Sequence, residues 1–302
     1  MLKFPNFWLK TQKRQNFIIY SLSPFAFIWV LMAKIKFLIG RNEKLPIPII
    51  CVGNITVGGN GKTPTAIKLQ SLLTKMGYKP HIISRGYKGT LRGPHFVNKY
   101  LDNSFLVGDE PFMISQYGPN WISKNRINGV KLAAKHGANV AILDDGFQNH
   151  SFSKDFSILV IDCVIGFGNG WVIPSGPLRE PTHNALKRAD AIITLGTELE
   201  QKKFLKTFPN SFCNIQFQGS VEAINKSRRW LNVKVYAFTG IGRPEKFFNT
   251  LSNSGAILLK TNSFPNHSHF DQETIEMFAN EAKKYNATVV TTEKDFVKLP
   301  EH

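Results

Sequence analysis

Pro46-Ile47-Pro48-Ile49-Ile50-Cys51-Val52-Gly53-Asn54-Ile55-Thr56-Val57-Gly58-Gly59-Asn60-Gly61-Lys62-Thr63-Pro64 joins an apolar run to a glycine-rich loop that closes in Gly-Lys-Thr. Behind it, residues 63–76 place Ala66, Ile67, Leu69, Leu72 and Leu73 at helical spacing. A strand, a glycine-rich turn and a helix form the setting in which backbone N–H groups wrap the phosphates of a nucleotide. In a loop of that kind Thr56, Val57, Gly58, Gly59, Asn60 and Gly61 supply the cradle, Lys62 reaches the β and γ oxygens, and the Thr63 hydroxyl holds Mg²⁺. The common pattern opens on glycine where this chain has Thr56, so the flanking strand and helix carry the assignment. ATP and Mg²⁺ are the expected cofactors.

Further apolar runs, at residues 80–84, 140–143, 156–161, 189–195, 234–239, 256–259 and 287–291, alternate with helix-like segments. That rhythm predicts an α/β fold, a P-loop NTPase-like parallel sheet with helices on both faces and ligands gathered at the carboxyl ends of its strands. Residues 198–229 are polar and weakly patterned, and a second strand, glycine turn and helix begin at Lys234. The expected division is an N-terminal membrane-associated helix over 1–40, a phosphate-loop domain over 41–205 and a smaller α/β domain over 206–302. Thr239-Gly240-Ile241-Gly242 lacks the Lys-Ser/Thr ending and reads as a strand-to-helix turn.

An apolar content of 42% over 302 residues is ample for a packed core, and a net charge of +17 calls for a polyanionic partner: nucleic acid, an anionic membrane surface or a phosphorylated substrate. Cys51, Cys163 and Cys213 show no Cys-x-x-Cys spacing, which suits reduced thiols in the cytosol. Residues 15–33 carry no charge and are long enough to cross a bilayer, although Pro24 is expected to kink the helix. Lysine and arginine lie on both sides of this stretch, so a span and an interfacial helix anchored by Trp8 and Trp29 both remain open. No small-x-small site follows to mark a cleaved leader.

Val140-Ala141-Ile142-Leu143-Asp144-Asp145 is an apolar strand ending in two carboxylates, the form of a Mg²⁺-holding neighbour of the phosphate loop. Ile158-Leu159-Val160-Ile161-Asp162 has the same form and competes for the role, but the doublet is followed by Gly146-Phe147-Gln148, a turn able to aim polar groups at the site. ATPases that dimerise around a deviant loop have a lysine where this chain has Val57. The guanine-reading Asn-Lys-x-Asp has only Thr292-Glu293-Lys294-Asp295 as a counterpart. A kinase or a generic ATPase remains.

Seven segments occur together: the 53–64 loop, Ser84-Arg85-Gly86-Tyr87, Val107-Gly108-Asp109-Glu110-Pro111, Asp144-Asp145-Gly146-Phe147-Gln148, Pro174-Ser175-Gly176-Pro177-Leu178-Arg179-Glu180-Pro181, Phe264-Pro265-Asn266-His267 and Thr291-Thr292-Glu293-Lys294-Asp295. In this combination and order the chain resembles the tetraacyldisaccharide 4′-kinases, the lipid A 4′-kinases of Gram-negative bacteria. The resemblance implies transfer of the ATP γ-phosphate to the 4′-hydroxyl of a lipid A disaccharide 1-phosphate, by a monomer at the cytoplasmic face of the inner membrane. It implies Asp109 as general base and His267 as its partner. Asn266 stands where the family has aspartate, and His269 is a second candidate for that partner. It further implies Lys62 as the electrostatic catalyst on the phosphates, and Tyr87, Arg179 and Glu180 in the nucleotide or metal site. Arg85 and Arg126 are placed by their chemistry against the substrate's 1-phosphate. A membrane-associated ATPase driving assembly or transport is the alternative. A nucleic-acid-binding ATPase has no recognisable motif here, and nucleic acid is not an expected partner.

Overall fold

The computed structural model describes residues 5–9, 16–40, 43–59, 61–208, 215–222, 230–265, 268 and 270–300. Asn60, Cys213, His267 and His269 lie outside these residues. Helices α1 (Asn6–Leu9) and α2 (Asn16–Leu38) precede β1 (Ile49–Gly53) and α3 (Lys62–Lys75). Then come β2 (Pro80–Ser84), β3 (His95–Phe96), α4 (Ser104–Val107), α5 (Asp109–Ser115), β4 (Asn120–Ile122), α6 (Arg126–Lys135) and β5 (Val140–Asp144). β6 (Phe156–Asp162), α7 (Thr182–Arg188), β7 (Ala191–Leu195), α8 (Glu198–Thr207) and β8 (Ile215–Gly219) follow. The remainder is β9 (Lys234–Thr239), α9 (Pro244–Asn253), β10 (Ile257–Ser263), α10 (Gln272–Lys284), β11 (Thr288–Val290) and α11 (Glu293–Phe296).

Eight strands form one sheet in the order β3-β4-β2-β5-β1-β6-β7-β8, parallel throughout except for the β3–β4 edge pair. The strands that read as unbroken apolar runs are buried on both faces, as a parallel sheet demands. Val52, Ile82, Ile142 and Val160 pack toward Ala66 of α3 and Ile114 of α5. Cys51, Ile83, Leu143 and Leu159 alternate to the other face, against Val130 and Ala133 of α6 and Ala185 of α7. Register sets the site: Val52 pairs with Asp144, so the end of β1 and the carboxylate doublet leave the sheet side by side. A second sheet, β10-β9-β11, is also parallel, with α10 on one face through Phe278 and Ala282 and α9 on the other through Leu251.

β8 pairs with β7 from Ile215–Ala191 to Gly219–Leu195. The large sheet therefore extends past the 205/206 boundary expected from sequence. As an outer strand with four of its five residues exposed, β8 has no two-sided apolar signature to read.

α2 runs unbroken through Pro24. Proline at this position deprives the Tyr20 carbonyl of its helical donor, and the Ser23 hydroxyl donates to that carbonyl instead at 2.7 Å. A satisfied backbone at this point lets one helix continue through the proline. Ile19 and Ala26, seven residues apart, are buried against the protein, whereas Phe17, Tyr20, Phe25, Phe27, Met32 and Leu38 are exposed. Docking thus uses a single stripe and leaves the remaining circumference of a membrane-length apolar helix uncovered.

Candidate active site

Gly53 ends β1, and the loop turns through Gly58 at φ 103° and Gly61 at φ 80° before α3 starts at Lys62. Both values are costly for any residue with a side chain, and a Cβ on Gly61 would also collide with Leu195 Cδ1. Val57 donates its N–H to Pro177 O at 2.9 Å and Thr56 is buried, so the loop is clamped on the segment that carries Arg179. Lys62 Nζ is held by Asn54 Oδ1 at 3.1 Å and Gly58 O at 3.4 Å, and lies 3.7 Å from Asp145 Oδ1. Burial lowers the pKa of Lys62, opposed by the nearby carboxylates of Asp145, Asp144 and Glu110.

Thr63 Oγ1 donates to Asp144 Oδ2 at 3.0 Å, the contact expected between the phosphate loop and the metal strand. The other carboxylate oxygen, Asp144 Oδ1, is buried without a hydrogen-bond partner. An acceptor left bare beside a hydroxyl and a second carboxylate matches the all-oxygen chemistry of Mg²⁺, which takes one or two protein ligands and completes its shell with phosphates and water. Burial pushes Asp144 up to about 6, against the pull of Lys62. Asp145 moves the opposite way. Burial raises it, but Lys62 and Arg179 outweigh that and hold its carboxyl below the usual range. Two adjacent carboxylates are thereby driven apart in basicity.

Arg179 Nη1 donates to Asp145 Oδ1 at 2.8 Å and to Gln148 Oε1 at 3.2 Å, and Gln148 Nε2 reaches Asn54 O at 2.8 Å. Glu180 stands behind this layer. Gln148 Nε2 donates to its Oε1 at 3.2 Å and Arg188 pairs with its Oε2, so its carboxylate braces the turn around Gln148. The Arg179 carbonyl accepts from the indole Nε1 of Trp29 at 2.9 Å, which hooks the apolar helix directly to a site residue.

Asp109 opens α5 and is buried. The start of its helix lies near the phosphate loop, since the charge of the next residue, Glu110, bears on both Lys62 and Asp144. The turn bearing Tyr87 backs onto the same place: a Cβ on Gly108 would strike Tyr87 O, and Leu91 donates to Leu106 O at 2.9 Å. Tyr87 itself is exposed, as is Arg85. Arg126 is buried, with Nη1 donating to Ser123 O at 2.8 Å and Nη2 to Asp144 O at 3.2 Å. Its guanidinium props up the end of β5 from behind, which sets it apart from the exposed Arg85.

Asp162, the competing strand-end carboxylate, is taken by the smaller unit, with Arg243 Nη1 donating to both of its oxygens at 2.7 Å. Two other residues of the site escaped sequence reading. Asn54 is a common loop residue until its partner Lys62 is seen, and Lys294 pairs with Glu110 across 184 positions. No local pattern announces such a contact.

A lysine and threonine at the mouth of a glycine loop, two carboxylates on the neighbouring parallel strand and a further carboxylate opening a helix beside them define a phosphate-loop enzyme of nucleotide-dependent phosphoryl transfer. Comparison with known proteins narrows the class. The family model for tetraacyldisaccharide-1-P 4′-kinase, LpxK, matches residues 18–302, and the chain belongs to this family. It is 39% identical over 297 residues to a tetraacyldisaccharide 4′-kinase of Dinoroseobacter shibae, covering 98% of this chain and 88% of the relative. It is 39% identical over 302 residues to one of Paramagnetospirillum magneticum, covering 99% and 90%. A crystal structure of LpxK from Aquifex aeolicus in complex with ATP matches with a TM-score of 0.70 at 28% identity, covering 93% of this chain and 90% of that one.

Proposed function

We propose that this protein transfers the γ-phosphate of ATP to the 4′-hydroxyl of a tetraacylated disaccharide 1-phosphate, a step in lipid A biosynthesis, with Asp109 accepting the proton of that hydroxyl. The observation that carries the reading is the convergence of Lys62, Thr63, Asp144 and Asp145 on one loop mouth, with the helix of Asp109 turned toward it. Phosphoryl transfer needs little covalent help from the protein. Position and charge neutralisation supply most of the acceleration.

The backbone of residues 56–61 cradles the phosphates and Lys62 neutralises their developing charge. Asp145, fixed by Arg179, keeps Lys62 oriented. Thr63 and Asp144, with Asp145 beside them, would hold Mg²⁺, which supplies charge neutralisation on the β and γ oxygens. Asp109 receives the proton of the acceptor hydroxyl, and His267, assigned from its motif, raises its basicity. Tyr87, on the turn behind Asp109, contacts nucleotide or sugar, and Arg85, exposed and free of the metal strand, meets the substrate's 1-phosphate.

α2 places the enzyme at a bilayer. Its exposed Phe17, Phe25, Phe27, Trp29 and Met32 form an apolar surface that water does not favour, and its lipid substrate resides in the same phase. ATP confines the reaction to the cytoplasmic face, which in a lipid A-producing cell is that of the inner membrane.

The test is incubation with γ-labelled ATP, Mg²⁺ and the tetraacyldisaccharide 1-phosphate in detergent micelles, alongside Lys62→Ala and Asp109→Asn. Label on the lipid, lost in both variants, is the expected result. Hydrolysis of ATP with no label on lipid would make the protein an ATPase.

A further inference from the structure

Outside the phosphate loop, a cavity of about 360 Å³ opens at the foot of α2. Its walls include Phe37, Phe147, His150, Ser153, Lys154 and Arg188. The Arg188 guanidinium lies over the rings of Phe147 and Phe37, at 4.9 and 5.9 Å from their centroids, and approaches His150 Nε2 at 3.3 Å. Lys154 Nζ donates to Phe147 O at 2.8 Å, which leaves two of its three protons for another acceptor. Two cations thus line one cavity; Arg188 is paired with Glu180, and among the described residues Lys154 has no carboxylate partner.

His150 lines the same wall beside these cations. Burial, then the charges of Arg188, Lys154 and Lys36, press it down to about 4, so the imidazole is neutral and adds a donor or acceptor without more charge. Burial likewise lowers Lys154, and Arg188 lowers it further. With Arg188 paired to Glu180, Lys154 is the charge in this pocket that an anion would complete.

The mouth says which anion. Phe37, Leu38 and Ile39, which rim the cavity or adjoin it at the end of the membrane-length helix, are 51%, 71% and 74% exposed. A free ion would leave that apolar rim bare, whereas a lipid would lay its chains along α2 and its phosphate on Lys154 and Arg188. Basic pockets at the cytoplasmic end of membrane helices hold anionic head groups for this reason. We propose that the cavity between the end of α2 and Lys154, His150 and Arg188 is a site for the phosphate head group of an anionic membrane phospholipid. It lies outside the phosphate loop, and it rests on the membrane reading of α2.

The test uses the full chain in nanodiscs of phosphatidylcholine with a minority of phosphatidylglycerol, followed by native mass spectrometry of the released protein. Preferential retention of phosphatidylglycerol is expected, reduced about fivefold by Lys154→Gln, which removes one charge at the surface, and by Ser153→Trp, which fills the mouth. Nucleotide binding by both variants serves as the folding control. Equal retention of the two lipids, or unchanged retention by both folded variants, overturns the proposal. So does inorganic phosphate binding the lipid-free protein as tightly and with the same sensitivity to Lys154, which would assign the cavity to a free anion. A KM for the disaccharide raised by both variants in pure phosphatidylcholine would make it a substrate subsite and equally overturn it. Flotation separates the two readings: failure to float with phosphatidylcholine vesicles sinks the membrane reading, whereas flotation without selective retention sinks the head-group site alone.

Discussion

Lys294 Nζ lies 2.6 Å from Glu110 Oε1, so the smaller unit grips the residue next to Asp109. The grip is doubled: the Tyr117 hydroxyl, two residues beyond the end of α5, donates to Glu293 Oε2 at 2.6 Å. Thr292, Glu293, Lys294 and Asp295 therefore do not read a base. Glu293 and Lys294 dock α11 on α5, the helix that begins with Asp109, while Thr292 and Asp295 are bonded within the smaller unit. Lys294→Ala should lower kcat about tenfold with KM for ATP nearly unchanged, because Asp109 moves while the phosphate loop does not. The Glu110→Lys, Lys294→Glu double variant should recover part of the loss. A rise in KM for ATP with kcat intact would contradict the positioning role.

Gly61→Ala tests the loop itself. Its φ of 80° costs a side-chain-bearing residue about 1 kcal/mol or more, and the new methyl would overlap Leu195. ATP affinity should fall by about tenfold or more by calorimetry, with little change in the melting of the smaller sheet. Wild-type affinity would mean that the loop does not hold this conformation when nucleotide binds.

The 49–63 unit and the 140–145 strand were legible because each carries its structure locally, as an apolar strand running into a turn that only glycine or a cap permits. β3 and β4, of two and three residues, are too short for any periodicity to rise above chance. Asp144 and Asp162 both end apolar strands next to β1, and the turn after the doublet favoured Asp144; tertiary contacts settle the pair, since Thr63 bonds Asp144 whereas Asp162 is taken by Arg243 of the smaller unit. Glu180 was readable as a site residue but not as a brace, since its partner Arg188 is visible only once α7 is folded back. The Trp29–Arg179 contact spans 150 positions and belongs to tertiary structure alone.

Asp144→Asn should abolish Mg²⁺-dependent transfer and yet stabilise the nucleotide-free protein. The folded-state pKa of Asp144 is raised, from 3.8 to about 6, so its contribution to stability is present below the unfolded value and is lost as pH rises through about 6. Above that pH the folded protein carries a buried charge that asparagine lacks, worth about 3 kcal/mol. Thermal melts without metal or nucleotide should show a higher Tm for the variant at about pH 8, roughly half that gain at about pH 5 and little at about pH 3. A variant that is less stable at both values would show that Lys62 already stabilises the ionised form more than burial opposes it.

The contact between Arg243 and Asp162 makes an asymmetric prediction. Asp162 has a side chain only 3% exposed, whereas that of Arg243 is 26% exposed. Removing the arginine strands a buried carboxylate with Lys246 at 3.7 Å as its remaining counter-charge. Removing the carboxylate's charge leaves a guanidinium that water can reach. Arg243→Ala should therefore cost about 3 kcal/mol in urea unfolding. Asp162→Asn should cost clearly less, since its amide oxygen can still accept from the Val164 N–H, now at 3.0 Å from Oδ1. Equal costs would mean that the ion pair acts through its geometry between the two sheets, with burial of the charge contributing little.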